Sequence, residues 1–173
     1  FIGSSTQLYA DASVREQLMS DVRFGVERLN RELRDAVPGT LVVSPDQQCI
    51  SFWPLAAVSR YISLPTSSTS TVTFLVPFSG SIKAGDYAIV YPVGLSTTHP
   101  YGCSAGVCVA QVASVPVAVD GDADLLTASL TPIPPGTSAV FAAPSPGQRI
   151  FFAREQVSFC RNSQNQLVRQ ATV

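Results

Sequence analysis

Apolar residues at steps of three and four occupy one stretch of this chain, and the pattern ends at a Pro-Gly pair. From Asp11 to Val37 they fall at Val14, Leu18, Val22, Gly25/Val26, Leu29, Leu33 and Ala36, the spacing that lines one face of an α-helix. Glu27 with Arg31 and Arg31 with Asp35 stand four apart on the wet side, and Pro38-Gly39 supplies the stop. The stretch also concentrates charge. Residues 1–37 hold eleven of the twenty-three charged side chains, and the remaining 136 residues share twelve.

After Pro38 the period changes to short β-branched and aromatic runs cut by Pro, Gly, Ser and Thr: Leu41–Ser44, Cys49–Trp53, Val72–Phe78, Tyr87–Val93, Val107–Val119, Leu125–Leu130, Ala139–Ala142, Arg149–Phe152, Gln156–Cys160 and Gln166–Thr172. These predict strands. With no second helical pattern to act as a crossover, neighbouring strands are expected to pair antiparallel. The predicted fold class is therefore α+β, one long helix packed by Val22, Leu29 and Leu33 on an antiparallel sheet. A length of 173 residues suits a single domain, which buries roughly 70% of its unfolded surface; residues 1–37 form its helix and 38–173 its β-rich part. Leu64–Thr73 is low in complexity and short, and is expected to be a loop.

Composition removes several function classes. With 46% hydrophobic and 13% charged residues the chain is expected to fold. Eleven basic against twelve acidic side chains leave no excess positive charge for a phosphate backbone, so nucleic acid is not an expected partner. No run of ~20 apolar residues is present. The opening FIGSSTQLYADAS has neither the basic region nor the long apolar core of a signal peptide, and is expected to be soluble and trimmed.

Cys49, Cys103, Cys108 and Cys160 make an even set without a CxxC, which favours an oxidising compartment. Cys103 and Cys108 are close enough to close a small loop, leaving Cys49 for Cys160; the competing reading is free buried thiols. His99, Cys103, Cys108 and Cys49 together would make a chemically acceptable zinc set, but their spacing matches no finger and zinc competes with the disulfides for the same sulfurs.

Gly102-Cys103-Ser104-Ala105-Gly106 satisfies G-x-S-x-G, the pattern of a nucleophile elbow, with Asp86 and His99 upstream as the remaining triad types. An elbow needs a strand before the serine and a helix after it, and no helix is expected here. No catalytic residue, no enzyme activity and no cofactor are therefore assigned. Asp120, Asp122 and Asp124 resemble the opening of a calcium loop, where oxygens at positions 1, 3 and 5 converge on the cation. Leu125 stands where the loop glycine belongs and Pro132 where a bidentate Glu is required, so the trio is a weak metal candidate and is expected to be an acidic turn.

Leu29-Asn30-Arg31-Glu32-Leu33-Arg34-Asp35-Ala36-Val37-Pro38 leads the charged helix into a β-rich body. That layout resembles type IV pilins and type II secretion pseudopilins cut just after their membrane segment. Cys49-Ile50-Ser51-Phe52-Trp53-Pro54, Ser59-Arg60-Tyr61, Leu64-Pro65, Val157-Ser158-Phe159-Cys160 and Leu167-Val168-Arg169 look like the minor pilins of the mannose-sensitive haemagglutinin (MSHA) pilus. The resemblance spans nearly the whole chain through loose apolar and turn patterns.

The resemblance implies a non-enzymatic subunit acting in assembly or priming of the pilus. Its partners would be other minor and major pilins, the inner membrane through an absent apolar segment, and a surface receptor. It would reside in the inner membrane and periplasm before assembly and on the extracellular pilus afterwards. Arg15, Glu16, Arg23, Glu27 and Arg31 would set partner choice by charge complementarity. One departure limits the carry-over: Phe1 is followed by Ile2-Gly3-Ser4 and Ser5, where mature pilins carry Glu at the fifth position. The processing site, methylated residue and registering Glu therefore map to no residue here. A secreted carbohydrate-binding or adhesive β-domain is the alternative, suggested by the Ser/Thr-rich loops and the acidic turn.

Overall fold

A computed structural model describes residues 2–65, 69–95, 101–133 and 141–172. They form one helix and thirteen strands: α1 (Ile2–Arg34), β1 (Val42–Val43), β2 (Cys49–Phe52), β3 (Leu55–Ser63), β4 (Thr71–Leu75), β5 (Tyr87–Ile89), β6 (Gly102–Cys103), β7 (Gly106–Val107), β8 (Val109–Val112), β9 (Val117–Val119), β10 (Asp122–Thr131), β11 (Arg149–Ala153), β12 (Gln156–Arg161) and β13 (Leu167–Thr172). Two compact units result, 1–34 and 35–173.

The second unit is built on a closed barrel. Strands follow the order β4-β3-β11-β5-β8-β10, all antiparallel, and β10 returns to pair with β4 from Leu125–Leu75 to Ser129–Thr71. Closure removes the open edges that a flat sheet would expose. The six strands, with Val90 just past β5, send side chains of one face inward: Ala57 and Tyr61, Val72 and Phe74, Ala88 and Val90, Ala110 and Val112, Ala128 and Leu130, Ile150 and Phe152. A barrel this narrow leaves little interior. Alanines therefore flank the large rings, and Phe152 pairs with Ala57 on one side and Ala88 on the other. Phe74 meets Phe152 with ring centres 5.1 Å apart.

The polar members of this interior are satisfied. The Ser59 hydroxyl donates to the Leu75 carbonyl, and the Tyr61 hydroxyl accepts from the Ser145 amide at 2.9 Å. Outside the barrel wall, Tyr87, Ile89, Val109 and Ala153 point the other way into a second apolar cluster with Val37, Trp53 and Cys108.

A separate four-stranded sheet runs β1-β2-β12-β13. Cys49 and Cys160 are register partners on β2 and β12 and are joined by a disulfide, Cα to Cα 4.1 Å. The next rung on the same face pairs Ser51 with Ser158, hydroxyl to hydroxyl 2.7 Å.

The expected α+β layer, a long helix packed on an antiparallel sheet in the manner of pilins, is corrected. Apart from α1 the described chain is β, and its main sheet closes on itself and fills its interior from its own strands. Val22, named as a helix-to-sheet contact, is exposed, and Leu29 and Leu33 are only half-buried.

Element boundaries shift for local reasons. Helix α1 runs from Ile2, nine residues before the apolar periodicity sets in at Asp11, and stops at Arg34 instead of Val37. There the chain is taken up by an extended segment: the Val37 amide donates to the Trp53 carbonyl and the Leu55 amide to the Asp35 carbonyl, both at 2.7 Å. The single run expected over 107–119 is broken into β7, β8 and β9, with Pro116 unable to donate to a ladder. Strand β3 was absent from the sequence reading, and residues 139–140 of another expected strand lie outside the described residues.

Candidate functional site

Helix α1 is 33 residues long, about 50 Å at 1.5 Å per residue. Its ladder is self-contained, but an isolated helix in water gains little without a packed face. Val14, Leu18, Val22 and Val26 follow one another along one stripe and are all exposed. Arg15, Glu16, Arg23 and Glu27, singled out from the sequence, line a shallow groove on another face together with Met19, Ser20 and Phe24. Arg31 is also exposed. Arg28 and Glu32 form an ion pair at 3.0 Å one helical turn apart, a contact the sequence pairing of Glu27 with Arg31 did not name. Among the described residues no helix is long and apolar enough to cross a membrane.

The G-x-S-x-G segment is a two-stranded hairpin. β6 pairs with β7 through Gly102–Val107 and Cys103–Gly106, and the Cys103–Cys108 disulfide ties its base. Ser104 sits in the turn and its hydroxyl donates to the Gly94 carbonyl at 3.4 Å. A strand, not a helix, follows the serine, so the elbow geometry does not form. Asp86 is buried and its carboxylate accepts the Lys83 amide at 2.8 Å, closing the turn before β5. His99 lies outside the described residues.

All four sulfurs are engaged in the two disulfides, the pairing expected from the spacing, so none is a thiolate ligand for the zinc set. Asp120 lies in the turn before Gly121, while Asp122 and Asp124 stand two apart on β10. The Asp122 carboxylate accepts the Asp124 amide at 3.0 Å, as an acidic turn does. Among the described residues no cluster of three metal-ligating side chains is brought together.

An aromatic cluster beside the hairpin escaped the sequence reading. Trp53 meets Tyr87 edge-on with ring centres 4.7 Å apart, and Tyr101 stacks on Tyr87 at 6.0 Å. Burial holds the Tyr87 phenol above its ordinary range, and Tyr101 adds to the rise through its charge and a hydrogen bond. The indole Nε1 of Trp53 is buried without a hydrogen-bond partner among the described residues. The one available signal was Trp53, the only tryptophan of the chain, placed before a proline at a strand end. No family model, no curated protein and no solved structure matches this chain.

Proposed function

We propose that this chain is a structural subunit, akin to a minor pilin or pseudopilin, that acts in assembly or priming of an MSHA-type type IV pilus in the manner of the biogenesis protein MshO. The observation that carries the reading is the run of exposed Leu and Val side chains along α1, flanked by alternating charge. Exposed apolar surface of that extent marks an interaction site. Helices of neighbouring subunits would cover the stripe, and Arg15, Glu16, Arg23, Glu27 and Arg31 would select among them by charge.

The chain acts without catalysis on this reading, and its partners are other pilins, the inner membrane and a surface receptor. It passes from the inner membrane and periplasm to the extracellular fibre. The two disulfides suit that oxidising route.

The closed barrel favours a second reading, a secreted carbohydrate-binding or adhesive β-domain carried on a helix. Deletion of the gene, followed by complementation, separates the two. On the pilus reading, deletion lowers the number of surface pili, the parent chain restores them, and Leu18→Glu with Val22→Glu does not. Normal piliation without the gene, together with glycan binding by the purified chain, overturns it in favour of the second.

A further inference from the structure

A second apolar surface lies wholly within the β-rich unit. Val76, Pro77, Gly80, Ser81 and Ile82, which follow β4, face Val115, Pro116 and Leu126 across a groove of about 210 Å³. No charged side chain lines it. Ile82 and Leu126 form its inner part and pack against the barrel interior. Around it Val76, Val115 and Val117 are exposed, and Phe78, between two lining residues, is fully exposed.

The local backbone makes Phe78 a projecting knob. Pro77 stops β4, and Gly80 takes a positive φ of 86° at a point where a Cβ would come within 2.1 Å of the Ala56 carbonyl oxygen. The turn is thereby held close to the barrel, and the ring beside it is left in water. A fully exposed phenylalanine forgoes the burial that its large apolar ring favours.

Size and position limit what covers this surface. The groove is below the ~300 Å³ at which ligand pockets begin. It exceeds the ~150 Å³ that admits a benzene-sized ring. A knob and a hole of matching size on one patch are what an isologous contact requires, since the same residues must serve on both sides. Charge agrees with that arrangement. Arg154, exposed, reaches Ser81 Oγ at 3.0 Å on one margin, and on another the exposed Asp124 stands two residues before Leu126 on β10, beside Val76. A two-fold axis between those margins sets the basic margin of one copy against the acidic margin of the other.

We propose that this face pairs two copies of the chain about a two-fold axis, with Phe78 of each seated in the Val76–Ile82/Val115–Leu126 groove of the other. Sedimentation velocity on the full chain, from about 1 μM to about 1 mM, reads the association constant. The parent chain is expected to show a monomer–dimer equilibrium, and Phe78→Ala to weaken it roughly a hundredfold or more, because two rings are lost per dimer. Val115→Lys blocks the groove and is expected to do the same.

A mixture of Phe78→Ala with Val115→Lys regains one of the two insertions and associates more strongly than either variant alone. In Phe78→Trp, emission shifts to the blue as concentration rises, against the constant signal of buried Trp53. A parent chain that stays monomeric throughout, or one whose association survives Phe78→Ala and is lost with Leu18→Glu on the helix, overturns the proposal.

Discussion

Replacing Cys49 and Cys160 together by serine removes the bond that spans 111 residues of sequence, and the cost follows from what that bond does to the unfolded chain. In the loop-entropy relation a closed span above a hundred residues restricts the unfolded ensemble by about 4.7 kcal/mol, and a span of five by about 2 kcal/mol. The folded state is expected to tolerate the change. Ser51 and Ser158, the next rung of β2 and β12, already stand as a serine pair bonded at 2.7 Å. Two serines at 49 and 160 have the same register and backbone environment, so native strain adds little.

Urea unfolding followed by circular dichroism, under non-reducing conditions, gives the difference for a two-state transition. Cys49→Ser/Cys160→Ser should lose about 4–5 kcal/mol, and Cys103→Ser/Cys108→Ser about 2 kcal/mol. A long-bridge variant within about 1 kcal/mol of the parent, or a short-bridge variant that costs more, would mean that restriction of the unfolded chain is not what the long bridge contributes.

Gly80→Ala forces a side chain against the Ala56 carbonyl at positive φ, and should lower stability by about 2–4 kcal/mol in the same unfolding assay. Ala88→Leu places extra methylenes between Phe152 and Ala110 in the barrel, and should cost about 1–3 kcal/mol with a lowered thermal midpoint. Tyr87 has a phenol pKa raised by burial above its ordinary 10.0, so its neutral form is favoured in the folded state. Its contribution is full below pH ~10 and is lost as pH rises through the folded value; Tyr87→Phe should therefore flatten the alkaline fall in stability measured from pH 9 to 11. Calorimetric titration with millimolar calcium should show no saturable heat, because Asp120 lies in the turn, Asp122 and Asp124 lie on β10, and the Asp122 carboxylate already accepts the Asp124 amide; binding lost in Asp122→Ala would reverse that reading.

Features written in local period and spacing were legible before the structure. Helix α1 announced itself through steps of three and four, and Tyr87, Arg149 and Gln156 open strands where the β-branched and aromatic runs begin. The disulfides followed from the separation of four cysteines. Strand β3 was missed because Ala56, Ala57, Ser59 and Arg60 break up its strand formers, leaving Val58, Tyr61 and Ile62 without a continuous β-branched or aromatic run.

Barrel closure depends on a pairing between β4 and β10, about fifty residues apart, and no local pattern encodes it. The four inward alanines that make a narrow barrel possible are individually unremarkable in a sequence. The stripe on α1 establishes that one helix face favours cover, but periodicity does not say what supplies it, and the helix-on-sheet expectation failed at that step. The Trp53–Tyr87–Tyr101 cluster joins three distant segments and was illegible for the same reason.

Whether α1 is an assembly surface is decided by site-specific photo-crosslinking in living cells. A photoreactive residue at Leu18, on the exposed stripe, is irradiated in cells that make pili, with a second probe at Val43 on β1 as the control. An assembly helix gives a Leu18 adduct with another pilin subunit, attached through that subunit's N-terminal helix, and no such adduct from Val43. A Leu18 probe that captures no pilin while piliation proceeds normally contradicts that role.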